Sequence, residues 1–256
     1  MSKNFELMQQ AASERPFQSA PSTTESANLM HGNGNGFAKS NGHGLDLDRF
    51  AREETLKLVQ RVFLLQASTA PRVVMFAGVD QGNGCSRICA QTAEVLAANL
   101  SGTVCVIDAN LRTPSMPEYF GVTNHRGLTD SLLQDGPVRN FAKQLRPANL
   151  WLLSCGALAA DSPNLLRTEK LQARLTELRQ QFDFMLIDVP ALNQYADAAA
   201  VAKLCDGIIM VLEANSTRRE AARKMTESLQ ATKTPILGAV LNKRTFPVPE
   251  SLYRRL

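Results

Sequence analysis

Phe76-Ala77-Gly78-Val79-Asp80-Gln81-Gly82-Asn83-Gly84-Cys85-Ser86-Arg87 decides how this chain folds. The apolar run Arg72-Val73-Val74-Met75-Phe76-Ala77 leads into it, and a helix-forming run, Ile88 to Ala98, leaves it. Strand, glycine loop, helix is the layout of a phosphate cradle. Small residues let backbone N–H groups approach an anion, and the helix N-terminus adds partial positive charge. Such loops usually end Gly-Lys-Ser/Thr, with the lysine reaching the terminal phosphates. Here Cys85 follows Gly84. Two readings of Cys85 stand side by side: a thiolate favoured by the helix N-terminus, or a small residue that is merely tolerated. Arg87 and Arg112 are the cations considered for the missing lysine's role.

Two carboxylates lie downstream in matching contexts. Thr103-Val104-Cys105-Val106-Ile107 reads as a buried strand ending in Asp108-Ala109-Asn110-Leu111-Arg112. Phe182-Asp183-Phe184-Met185-Leu186-Ile187 reads as another, running into Asp188-Val189-Pro190. An apolar strand that delivers one aspartate beside a phosphate loop has the form of a metal-holding segment. Further strands are expected at Leu150–Leu153, Asp206–Glu213 and Pro235–Lys243, the last with Asn242 at its end. These runs lack polar alternation, as strands buried on both faces do. Helices are expected at 45–67, 86–100, 162–181, 194–204 and 217–232. The first is amphipathic and leaves open whether it packs on the sheet or meets a partner or second copy. Strand and helix alternate, so the expected fold is α/β with a parallel, doubly wound sheet. Every candidate functional residue falls at the C-terminal end of a strand, where such sheets bind ligands.

The 256 residues suit one domain plus appendages: a flexible arm over 1–44, a domain over 45–245 and a tail over 246–256. The arm is rich in Ser, Asn and Gly, including Gly32-Asn33-Gly34-Asn35-Gly36. A net charge of +4 is too weak to argue for nucleic acid. Five scattered cysteines without a Cys-x-x-Cys argue against a disulfide framework or zinc site. Neither a membrane span nor a leader is expected, so the chain reads as soluble, or held at a membrane by a partner.

The ensemble resembles the bacterial tyrosine kinases of capsular and exopolysaccharide export, of the CpsD/CapB type. These stand with the septum-site and partition ATPases among the deviant P-loop proteins. The segments that carry the likeness are Gly82–Ser86, Val106–Arg112, Phe182–Pro190 and Leu237–Asn242, supported by Gly127-Leu128-Thr129 and Ser162–Leu166. The resemblance implies a P-loop NTPase three-layer α/β/α sandwich that binds ATP and Mg²⁺ and phosphorylates tyrosines. It implies a phosphate cradle from the N–H groups of Gly82, Asn83, Gly84, Cys85 and Ser86, with Arg87 beside them and Asn242 against adenine. It implies Mg²⁺ on Ser86, Asp108 and Asp188, and a catalytic set of Asp108, Asp188 and Arg112. It further implies a cytoplasmic protein, recruited to the inner face of the plasma membrane by a membrane polysaccharide co-polymerase, and homo-oligomerisation.

Four features depart from the pattern. Cys85 replaces the lysine, and Asn110 replaces a second aspartate. The tail holds Tyr253 in place of a tyrosine cluster, and Glu54, Lys57 and Gln60 stand at the spacing of the family's Glu-x-x-Arg-x-x-Arg oligomer motif. A neutral thiol cannot offset charge on a transferred phosphoryl group, a loss of several kcal/mol. A catalytically impaired regulator of the co-polymerase and a partition-type positioning ATPase are the alternatives.

Overall fold

The computed structural model describes residues 43–65, 70–158, 162–167, 169–195 and 197–244. Contacts divide the chain into residues 1–41 and a unit spanning Gly42–Leu256, which contains every described residue. All but the last two residues of the expected arm, and the whole expected tail, lie outside the described residues. His43 and Gly44 open a helix instead.

The described strands form one seven-stranded sheet in the order β3-β4-β2-β5-β1-β6-β7. These are β1 (Val73–Gly78), β2 (Val104–Asp108), β3 (Lys143–Gln144), β4 (Leu150–Leu153), β5 (Phe184–Asp188), β6 (Gly207–Glu213) and β7 (Ile236–Asn242). Six strands are parallel, as the unbroken apolar runs require. The correction is β3, a two-residue edge strand antiparallel to β4. It consists of exposed Lys143 and Gln144, so no apolar pattern announces it.

At β1 the sheet is covered on both faces, every residue being buried, whereas the edge strand β7 corrects the expectation: Leu237, Ala239 and Leu241 are exposed, alternating with half-buried neighbours. On one face Val73, Met75 and Ala77 join a core completed by α5 (Glu169–Gln181), α6 (Asp197–Ala202) and α7 (Arg219–Gln230). Leu171, Leu175 and Leu178 recur at helical spacing along α5 and reach that core. On the other face Val74 and Phe76 meet Cys89, Ala93 and Leu96 of α2 (Cys85–Asn99). Outside α2 lies α1 (His43–Val59), which widens into a π-helical turn, Gln60–Leu64. Val59, Val62 and Phe63 are buried there, and Phe63 meets the Phe184 ring edge-on at 5.8 Å. The amphipathic helix therefore packs on the domain. It ends at Leu64 instead of 67.

Two short helices, α3 (Met116–Tyr119) and α4 (Leu128–Leu133), follow β2. The expected helix 162–181 is instead a 3₁₀ segment, Ser162–Arg167, followed by α5. Its three-residue turn brings Leu166 into the core, 2% exposed, out of phase with α5. No helix among the described residues is long and apolar enough to cross a membrane.

Candidate functional site

The chain leaves β1 for β2 on one side and later returns to place β5 between them and β6 on β1's other side. The crevice at the carboxyl ends of these strands is a topological switch point. The loop from Gly78 to Arg87 lies there and lines a cleft of about 350 Å³ with Asn110, Thr113, Ser115, Val189 and Ala191.

The loop's shape comes from two glycines and an asparagine. Gly82 and Gly84 have φ of 83° and 85°, a region that favours glycine. A Cβ on Gly84 would also run into Asn242 Nδ2. Asn83 is 2% exposed, and its amide donates to the Val211 carbonyl at 2.9 Å and accepts from the Cys85 N–H at 3.1 Å. Asn83 thus ties the loop to β6 from beneath. Sequence reasoning placed Asn83 among phosphate ligands through its backbone and missed this side-chain role.

Asp108 and Asp188 are register partners on adjacent strands. Both are fully buried, beneath the cleft and not on its lining. Asp108 accepts from the N–H groups of Asn110 (3.2 Å) and Met116 (3.3 Å). Asp188 Oδ2 accepts from the Ser86 hydroxyl at 2.5 Å, while its Oδ1 is buried without a hydrogen-bond partner. Burial pushes the Asp188 carboxyl up to about 7, against hydrogen bonds from Ser86 and Cys85 that draw it down. Burial, reinforced by the charge of Asp188, raises Asp108 well above the usual carboxylate range. Two desolvated carboxylates side by side and an orphaned oxygen fit a hard cation. Mg²⁺ commonly rests on one or two carboxylates plus substrate phosphates. The described residues hold no group of three or more His, Cys, Asp or Glu in metal-holding geometry.

Cys85 occupies the first turn of α2, 8% exposed. Burial, then the Asp188 charge, pushes its thiol well above the ordinary value. This corrects the thiolate reading: desolvation and a neighbouring carboxylate outweigh the helix N-terminus. Of the two arginines, Arg87 is exposed and lines the cleft, whereas Arg112 stands over the Tyr195 ring at 4.6 Å and is not part of the lining. Asn242, at the end of β7, donates to the Asn83 carbonyl at 2.8 Å. Lys243, next to it, reaches the Gly82 carbonyl at 2.6 Å, a role with no local sequence signal, because a lysine after a strand normally reads as solvated.

The chain matches the ParA family model, described as NUBPL iron-transfer P-loop NTPase, over residues 70–254. The tyrosine-protein kinase YwqD of Bacillus subtilis is 29% identical over 169 residues, 66% of this chain and 71% of that protein. The succinoglycan biosynthesis transport protein ExoP of Rhizobium meliloti is 29% identical over 180 residues, 69% of this chain and 23% of ExoP. Among solved structures, the VpsO kinase domain superposes with a TM-score of 0.69 at 23% identity, covering 80% of this chain and all of that one. Homologues thus carry kinase names, and the fold is that of their kinase domains. The match over residues 70–254, more than half of the chain, shows that it belongs to the ParA family of P-loop NTPases, with bacterial tyrosine-protein kinases among its homologues.

Proposed function

We propose that the cleft binds ATP with Mg²⁺ and that the chain is a tyrosine-kinase-like P-loop ATPase of capsular or exopolysaccharide production. The observation that carries this reading is the stacking of the Asp108–Asp188 register pair, with its orphaned Oδ1, directly under a left-handed glycine loop. N–H groups of Gly82 to Ser86 would receive the phosphates, and Ser86, Asp108 and Asp188 would hold the cation. Mg²⁺, when bound, neutralises charge on the phosphates. Asp108, where it is not engaged in holding the cation, would instead orient an attacking hydroxyl and accept its proton as a carboxylate. Asn242 would limit the nucleotide's base side, and Arg87 would add charge at the rim. The names of YwqD and ExoP support the kinase and polysaccharide assignments, and ExoP's description as a transport protein supports a membrane polysaccharide co-polymerase as partner. We assign the domain to residues 43–245, two residues longer at its start than the sequence alone suggests.

A second reading is favoured by the buried, protonated Cys85 thiol: a chain that binds nucleotide, turns it over slowly, and regulates its partner through the bound state. Mg·ATP calorimetry and phosphotyrosine detection on wild type, Cys85→Lys and Asp108→Ala separate the two. Wild-type phosphotyrosine that is lost in Asp108→Ala establishes the kinase. Binding without phosphotyrosine, with a gain in Cys85→Lys, establishes the regulator. Absence of Mg·ATP binding by wild type sinks both.

A further inference from the structure

Successive side chains of a strand point to opposite faces, so Asn242 and Lys243 should diverge. They do not. Asn242 Nδ2 donates to the Asn83 carbonyl at 2.8 Å, and Lys243 Nζ donates to the Gly82 carbonyl at 2.6 Å. The backbone explains it: Lys243 has φ of 54°, in the left-handed region a lysine seldom enters. Two other described non-glycine residues share that feature. Asn215 lies in the turn after β6, and Lys233 lies in the turn after α7. At Lys243 the unusual conformation turns the side chain onto the phosphate loop. Such outliers persist where surrounding structure holds them, and they gather at functional sites. Glu213 holds this one. It ends β6 opposite Asn242 in register and pairs with Lys243 Nζ at 3.1 Å.

A trans peptide carries its C=O and N–H on opposite sides. An ammonium on the Gly82 carbonyl therefore polarises the Asn83 N–H, and the Asn242 amide on the Asn83 carbonyl polarises the Gly84 N–H. These are two of the donors offered to a phosphate, and hydrogen-bonded chains strengthen one another in this way. We propose that Lys243 is a positioning residue for phosphate binding: held by Glu213, it locks the Gly82–Asn83 peptide with its N–H toward the cleft and supplies, from behind the loop, part of the positive charge that Cys85 does not. The proposal rests on the nucleotide-binding reading above.

Lys243→Asn tests it, because asparagine tolerates the left-handed backbone while removing the ammonium and the reach that bring it to the Gly82 carbonyl. Lys243→Arg is the conservative control. Calorimetry with Mg·ADP and with adenosine, and hydrogen exchange of the loop amides without nucleotide, are the measurements. Lys243→Asn should weaken Mg·ADP at least tenfold, leave adenosine within twofold, and speed exchange at Asn83 and Gly84. Lys243→Arg should recover most of both. Mg·ADP affinity within twofold of wild type, or equal losses for Mg·ADP and adenosine, overturns the phosphate role. Unchanged exchange overturns the clamp. A wild type that binds no Mg·ADP overturns the nucleotide reading itself, and the exchange rates still decide the clamp.

Discussion

Asp188 is fully buried, with one carboxylate oxygen on Ser86 and the other on nothing, and its carboxyl is pushed up to about 7. An unfolded aspartate titrates near ~3.9. The folded state therefore binds the extra proton between these values, so the stability tied to the protonated carboxyl is full below about 4 and is lost as pH rises through about 7. Asp108 shifts in the same direction. In EDTA, Tm should fall from pH 5 to pH 8, and Asp188→Asn should flatten that slope and gain about 1–3 kcal/mol at pH 8. A metal-free Tm that rises over this range would contradict the assignment. Cys85 shares the same pocket. In Cys85→Lys an ammonium beside Asp188 should return the carboxyl toward its ordinary range, flatten the same slope, and raise ATP turnover at least tenfold in a radiolabelled-phosphate assay, a gain of about 1.4 kcal/mol or more in transition-state stabilisation. These roles differ in how far they could be read in advance. Asp108 and Asp188 announce themselves by ending apolar strands. Asn83 and Lys243 act through partners 128 and 161 positions away, and nothing local marks them.

Phe63 tests the elements. It sits on the π-helical turn after α1, 2% exposed, edge-on to Phe184 at the start of β5. Truncating a buried phenylalanine removes about 3–5 kcal/mol. Phe63→Ala should lose an amount in that range in urea denaturation if α1 and its turn are integral to the domain, and well under 1 kcal/mol if they fray from it. The apolar residues of this helix were visible in the sequence, and their destination was not, because a stripe at helical spacing serves a sheet or a second copy equally well. The structure assigns the Val59, Val62 and Phe63 part of the stripe to the domain itself and leaves Phe50 41% exposed. Central strands were legible for a firmer reason: only a chain buried on both faces sustains runs such as Val73–Ala77 or Met185–Ile187. Lys143-Gln144 carries no such run. Its pairing with β4 follows from where the chain has already been placed. The Ser162–Arg167 turn escaped because Pro163, Leu165 and Leu166 satisfy a helical start and a 3₁₀ turn alike.

At the scale of the whole molecule, the strand order β2-β5-β1-β6-β7 gathers at one edge groups far apart in the chain: Asp108, Asp188, the glycine loop, Glu213 and Asn242. A ligand in that crevice would join α2 to the ends of five neighbouring strands, so its binding should stabilise the Gly42–Leu256 unit as one body. Linkage sets the size. A ligand at a hundred times its Kd that ignores the unfolded chain adds about 2.7 kcal/mol. For a domain of this length each kcal/mol is worth roughly 2–4 °C, so Mg·ADP at that excess should raise Tm by about 5–10 °C. The cation's share is separable. Mg²⁺ without nucleotide should raise Tm more at pH 8, where it displaces few protons from the carboxylate pair, than at pH 5.5, where it must compete with them. Asp188→Asn should erase the Mg²⁺ effect and keep a reduced response to ADP, because the loop amides survive. Equal shifts from Mg·ADP in wild type and Asp188→Asn would show that the carboxylate pair plays no part in holding the ligand, and the cation would then have to be sought elsewhere in the crevice.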